Sequence, residues 1–154
     1  MKMAPQYNIY LCGSIRGGRQ DVQIYGKIAE KLKEYGTVLT PFVADPNVRD
    51  EEDLDDRAIF ERDNGLMAQA DVLVAEVTVP SLGVGMELGW ALRDKRIPIL
   101  CLYRPQNELS ALVRGLADGN TNQVKDYKEE ELDQIIEDFF NILAVKNVAE
   151  SGDK

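Results

Sequence analysis

Asp71-Val72-Leu73-Val74-Ala75-Glu76-Val77 is a short apolar run without the polar alternation of a half-exposed strand. Such runs are strands buried on both faces, as in a parallel sheet covered by helices on either side. Pro80-Ser81-Leu82-Gly83-Val84-Gly85 then turns the chain into a helix, expected over about Met86–Lys95. Upstream, Tyr7–Cys12 reads as a first strand ending at a glycine-rich loop. Ile24, Ile28 and Leu32 recur every fourth position between Asp21 and Tyr35, which predicts a first helix closed by Gly36. A short strand around Val38–Thr40 stops at Pro41, and the acidic stretch Ala44–Asp56 with Pro46 is expected to be a mobile loop.

Downstream the alternation continues. A helix over about Arg57–Ala70 leads into the apolar run, and Ile97–Tyr103 is the next buried strand, with Pro98 tolerable only at its beginning. A short helix near Leu109–Leu116, a weak strand near Gln123–Tyr127 and a last helix follow. In that helix Leu132, Ile135, Ile136, Phe139, Phe140 and Leu143 form one apolar stripe, read as core. The pattern predicts an α/β fold: a flavodoxin/Rossmann-like three-layer sandwich with a five-stranded parallel sheet in the order 2-1-3-4-5. One domain is expected over residues 1–148, with a polar C-terminal tail over 149–154. In such sheets the ligand crevice lies where the strand order reverses, at the carboxyl ends of strands 1 and 3. The two most glycine-rich loops follow those strands.

The composition narrows the chemistry. A chain of 154 residues is the size of one domain with a real core. Its formal net charge of -9 opposes stable binding to a nucleic-acid polymer but not to one phosphorylated small molecule. No stretch approaches a membrane span, and Met1–Gln6 lacks the apolar core of a signal peptide. Cys12 and Cys101 fit neither a zinc pattern nor a disulfide framework and are read as small core residues, so a reducing cytoplasmic or nuclear setting is expected. The chain has no histidine, which removes every Ser-His or Cys-His couple and the commonest zinc ligand. Acid–base work falls to Asp, Glu, Tyr, Lys and Cys.

Two loops carry the candidate chemistry. Gly13-Ser14-Ile15-Arg16-Gly17-Gly18-Arg19 offers glycine backbone N–H groups, a hydroxyl and two arginines at the start of a helix, which suits a phosphate. It lacks the Lys-Ser/Thr of a Walker A loop. In the second loop, Leu88 stands where a dinucleotide fingerprint requires its third glycine. Glu87 is expected in the first turn of the third helix, where the dipole favours an ionised carboxylate. A glutamate there serves helix stability equally well. Asp63 supplies a second carboxylate and Tyr10 a phenol; taken alone, the first reads as a solvated residue and the second as a core tyrosine.

These stretches resemble a known family. Tyr10-Leu11-Cys12-Gly13-Ser14-Ile15-Arg16-Gly17-Gly18-Arg19, Ala75-Glu76-Val77-Thr78, Pro80-Ser81-Leu82-Gly83-Val84-Gly85 and Glu87-Leu88-Gly89 are similar to segments of the 2′-deoxynucleoside 5′-phosphate N-hydrolases. So are Arg104-Pro105-Gln106, Leu109-Ser110-Ala111 and Ala117-Asp118-Gly119. The wider group includes the nucleoside 2-deoxyribosyltransferases. The resemblance implies hydrolysis of the N-glycosidic bond of a deoxynucleoside 5′-monophosphate through a covalent glutamyl intermediate, without metal or cofactor. It implies Glu87 as nucleophile, Asp63 beside the departing base and Tyr10 orienting the glutamate. The Gly13–Arg19 loop with Ser81 and Gly83 would hold the substrate, and Ser110 would reach the phosphate from the other subunit of a homodimer. Phe42 and Met86 stand where some members have histidine and tyrosine, which bears on base preference and rate. A base-exchanging transferase and a nucleotide sensor without turnover are the alternatives.

Overall fold

In a computed structural model, residues 6–48 and 53–152 are described. Part of the expected acidic loop, residues 49–52, and most of the Met1–Gln6 segment lie outside them. Five strands, β1 (Tyr7–Cys12), β2 (Gly36–Val38), β3 (Val72–Glu76), β4 (Ile99–Tyr103) and β5 (Asn122–Asp126), form one parallel sheet in the order β2-β1-β3-β4-β5. The expected strand order is the observed one.

Strand alternation assigns each side chain to a layer. Ile9, Leu11, Val72, Val74, Leu100 and Leu102 point to one face. There they pack against α1 (Val22–Leu32) and α5 (Leu132–Gly152), through Tyr25, Ile28, Leu32, Ile136, Phe139 and Phe140. Tyr10, Cys12, Leu73, Ala75, Ile99 and Cys101 point to the other face. That face is covered by α2 (Asp56–Gln69) and α3 (Leu82–Gly89), through Met67, Val84 and Leu88. Both faces are buried, which is why β3 and β4 read as continuous apolar runs. The stripe on α5 is core as expected.

Several boundaries differ from the sequence reading, each for a local reason. Gly36 does not cap α1; it opens β2 beside Tyr7, where a Cβ would collide with the Tyr7 backbone. The second strand is therefore Gly36–Val38, and Pro41–Ala44 forms a 3-10 turn with Pro41 at its start. Asp55 caps α2 by accepting from the Ala58 N–H at 2.8 Å. The short helix is confined to α4 (Ala111–Arg114), and α5 runs on through residues 149–152 as exposed helix.

The largest difference concerns α3. It begins at Leu82, because Ser81 in extended conformation accepts from the Val84 N–H at 3.3 Å and caps the helix. Gly83 and Gly85 made this stretch look like loop, since each glycine costs a helix roughly 1 kcal/mol. Burial of Val84 and Leu88 on the sheet outweighs that cost. The helix then continues as a wider π-type turn over Trp90–Lys95. Glu87 consequently sits in the second turn of α3, away from the N–H groups expected to favour its charge.

Behind the carboxyl ends of the strands lies a buried polar network. Asp21, at the start of α1, accepts from Arg104 Nη2 at 2.5 and 2.7 Å. The Arg104 N–H donates to Thr78 Oγ1, and Glu76 accepts from the Thr78 N–H and from the Tyr127 hydroxyl. Burial raises the Glu76 carboxyl despite these two hydrogen bonds and a third from the Thr78 side chain. The network fixes the loops after β3 and β4 against α1, directly behind the candidate site.

Candidate active site

The loop after β1 and the loop after β3 touch. A Cβ at Gly17 would fall 2.7 Å from the Pro80 carbonyl oxygen and 2.8 Å from Ser14 Oγ, so only glycine lets the loops close. Gly18 has φ 139°, a backbone conformation open to glycine and strained for other residues. The Ser14 N–H donates to the Tyr25 hydroxyl at 3.1 Å, tying the loop to α1.

Between these loops and α2 is a cleft of about 210 Å³, lined by Gly13, Ile15, Arg16, Gly17, Asp56, Ile59, Arg62, Asp63, Ser81, Val84 and Glu87. It brings together seven of the residues singled out in the sequence: Gly13, Ile15, Arg16, Gly17, Asp63, Ser81 and Glu87. Tyr10 lies beneath Glu87 and hydrogen-bonds its carboxylate. Ser14 is fully buried under the loop, and its Oγ has no hydrogen-bond partner among the described residues. Arg19 is turned away from the cleft: its Nη1 donates to the Ser14 carbonyl at 2.9 Å, and its Nη2 to the Val43 and Asp45 carbonyls at 2.8 and 2.6 Å. Gly18 and Gly83 do not line the cleft. Ser110 lines a separate apolar groove of about 730 Å³, which meets the cleft at Ser81 and Val84.

Glu87 is the centre of the site. Burial pushes its carboxyl from 4.5 up to about 7. The Tyr10 hydrogen bond opposes that rise, Asp63 across the cleft adds to it by repulsion, and the Cys12 thiol opposes it again, donating from Sγ to Oε2 at 3.5 Å. The charge-favouring helix start inferred from sequence is therefore corrected: desolvation dominates, and it disfavours the charge. Burial and the facing Glu87 push both the Tyr10 phenol and the Cys12 thiol upward, so both remain protonated donors.

Sequence reasoning did not single out Cys12 or Arg62. Cys12 is buried, as its core reading predicts, and it also touches Glu87. The signal was its spacing: Tyr10 and Cys12, two apart on one strand, share a face. Arg62 Nε lies 2.9 Å from Asp63 Oδ1, and the Arg62 guanidinium lies 3.8 Å over the Phe42 ring. Arg16 reaches the start of α2, with Nη2 2.8 Å from Asp56 Oδ1.

A half-buried carboxylate with two donors, a second carboxylate across a cleft, and a glycine loop at a strand-order switch make a site suited to glycosidic cleavage next to an anion. The nucleoside 2-deoxyribosyltransferase family model matches residues 9–142, and the chain belongs to that family. Within the family it is similar to enzymes called 5-hydroxymethyl-dUMP N-hydrolase. That of Esox lucius is 52% identical over 143 residues, covering 89% of this chain and 98% of the relative. That of Danio rerio is 53% identical over 141 residues, covering 88% and 97%. That of Homo sapiens is 50% identical over 151 residues, covering 94% and 86%. The protein is an enzyme, an N-glycosidase.

Proposed function

We propose that the protein hydrolyses the N-glycosidic bond of 2′-deoxynucleoside 5′-monophosphates, releasing a free base and 2-deoxyribose 5-phosphate. The observation that carries this reading is the Glu87 carboxyl, held by Tyr10 and Cys12 and facing Asp63 across a cleft whose other wall is a glycine-rich, arginine-bearing loop. Ionised Glu87 attacks C1′ as the C1′–N bond breaks, giving a glycosyl ester. Water then displaces the carboxylate, as in a retaining glycosidase. Tyr10 and Cys12 hold the carboxylate oxygens in place, and Asp63 lies where it can hydrogen-bond the departing base. A missing 2′-OH makes the cationic sugar easier to reach, which favours deoxyribose.

The phosphate end is supported by Arg16, by the backbone N–H groups around Gly17 and by the buried Ser14 hydroxyl, whose missing partner a bound anion can supply. The relatives' names make 5-hydroxymethyl-dUMP the first substrate to test. The test is chromatography of a panel of deoxynucleotides, the matching nucleosides and ribonucleotides, with and without an acceptor base. Base release from deoxynucleoside monophosphates alone, unchanged by acceptor, supports the reading. Equal use of nucleosides, with transfer to the acceptor, would identify a transferase instead; binding without release would identify a sensor.

The same reading includes a homodimer in which Ser110 completes the partner's phosphate pocket. Leu82 is 97% exposed and Leu112 88% exposed, and both line the apolar groove that holds Ser110. Such a patch is costly to leave in water. The groove is continuous with the cleft through Ser81, so a second copy seated on it would lie beside the phosphate end. A cytoplasmic or nuclear setting belongs to the same proposal, supported by two free buried thiols.

A further inference from the structure

We propose that Arg62 is a further catalytic residue, whose guanidinium meets the base and stabilises the negative charge that gathers on it as the C1′–N bond breaks. This rests on the reading of the cleft as a nucleotide N-glycosidase site.

Helix α2 works as a ruler along the cleft. Asp56, Ile59 and Asp63 all line it, so one face of the helix forms its wall. Seven residues at 1.5 Å each separate Asp56 from Asp63 by about 10 Å. Arg16, from the glycine loop, pairs with Asp56 at one end of this span. Arg62 and Asp63 stand at the other end, with Glu87 on the opposite wall. A mononucleotide laid along the helix, with its phosphate at the glycine loop, brings its base to Arg62.

The guanidinium is held for such a role. Phe42, from the 3-10 turn after β2, stacks on its face at 3.8 Å, and Asp63 engages its edge through Nε at 2.9 Å. Stacking and edge pairing together fix both the plane and the rotation of the group. A guanidinium carries five N–H donors in a planar fork, so a single arginine can engage a carboxylate and a base carbonyl together.

The charge movement calls for a cation at this place. When Glu87 bonds to C1′, the electron pair of the breaking bond passes to the base nitrogen. In a pyrimidine-2,4-dione that pair spreads onto the adjacent O2 and, through the ring double bond, onto O4, and a neighbouring guanidinium stabilises this charge. The base finally takes up one proton, matched by the one lost from the water that releases the sugar. Adenine has no carbonyl, so Arg62 gives it no comparable help. The residue thus favours bases of the pyrimidinedione type.

Leaving-group dependence tests the assignment. Wild type, Arg62→Ala, Arg62→Lys and Phe42→Leu are compared on deoxyuridine monophosphates bearing 5-fluoro, 5-hydrogen and 5-methyl groups, which differ in the acidity of the departing base. Because the Arg62 charge also lowers the Glu87 carboxyl, single-turnover rates are followed as a function of pH, and the limiting values for ionised Glu87 with un-ionised base are compared. Arg62→Ala should lose on the order of 10²-fold on the 5-methyl substrate and distinctly less on the 5-fluoro one. Arg62→Lys should recover part of the loss, and Phe42→Leu should fall between. Parallel losses across the series, or no loss, in variants with wild-type circular dichroism would overturn the role. A wild-type enzyme that releases no base from any of the three would overturn the functional reading itself, and this inference with it.

Discussion

Replacing Glu87 by Gln should make the protein more stable and leave it inactive. The carboxyl is raised from 4.5 to about 7, chiefly by burial, so the folded state holds a proton that the unfolded chain gives up. Stability therefore falls as pH rises from about 4.5, and the loss is complete above about pH 7. At about 1.4 kcal/mol per pH unit, ionised Glu87 costs the native state about 3 kcal/mol. Glutamine has no charge to desolvate, feels no repulsion from Asp63, and keeps an oxygen to accept from Tyr10 and Cys12. In a domain of this size 1 kcal/mol moves Tm by about 2–4 °C, so Glu87→Gln should melt about 6–12 °C above wild type at pH 8.5. At pH 5 most of that gain should vanish, because Glu87 is then protonated in the native state. Paired calorimetric scans at the two pH values measure the difference. A gain independent of pH, or a variant less stable than wild type at pH 8.5, would refute the claim that Glu87 is held against its desolvation.

Two further outcomes follow from the same geometry. The acid limb of kcat/KM should rise through about pH 7, and Tyr10→Phe or Cys12→Ala should move it upward, since each donor lowers the Glu87 carboxyl. Substrate phosphate also titrates near pH 6, but neither substitution alters that, so an unmoved limb would detach both residues from Glu87. Mixing Glu87→Ala with Ser110→Ala subunits should restore about a quarter of all sites under random pairing if Ser110 acts across a two-fold interface. No gain after verified subunit exchange would place Ser110 outside the partner's site.

The fold was legible because strong local signals agreed. The apolar runs of β3 and β4 and the glycine loops after β1 and β3 allow few arrangements other than the observed sheet order. What the sequence concealed lay where tertiary contacts override local preference. Gly83 and Gly85 disguised a helix that the Ser81 cap and the burial of Val84 and Leu88 sustain. Starting that helix four residues earlier moves Glu87 out of the first turn, and the surrounding burial reverses the expected shift of its carboxyl. Arg19, in a loop read for its positive charge, spends its guanidinium on three backbone carbonyls. Arg62 was hidden because its partner Phe42 comes from a turn twenty residues earlier, which no local pattern connects to it. Tyr10, Asp63 and Glu87 drew attention through family resemblance, since position on a strand or a helix alone gave each an ordinary structural explanation.

The central claim is that Glu87 bonds to C1′ during turnover. Wild-type enzyme mixed with excess 5-hydroxymethyl-dUMP and acid-quenched within the first turnover should show, by intact-protein mass spectrometry, a fraction heavier by one deoxyribosyl 5-phosphate unit. Peptide mapping should place that mass on the segment containing Glu87, and Glu87→Gln should neither carry it nor release base. Base release by Glu87→Gln within about tenfold of wild type, a barrier change of only ~1.4 kcal/mol, would contradict the account. So would an adduct mapped to Asp63.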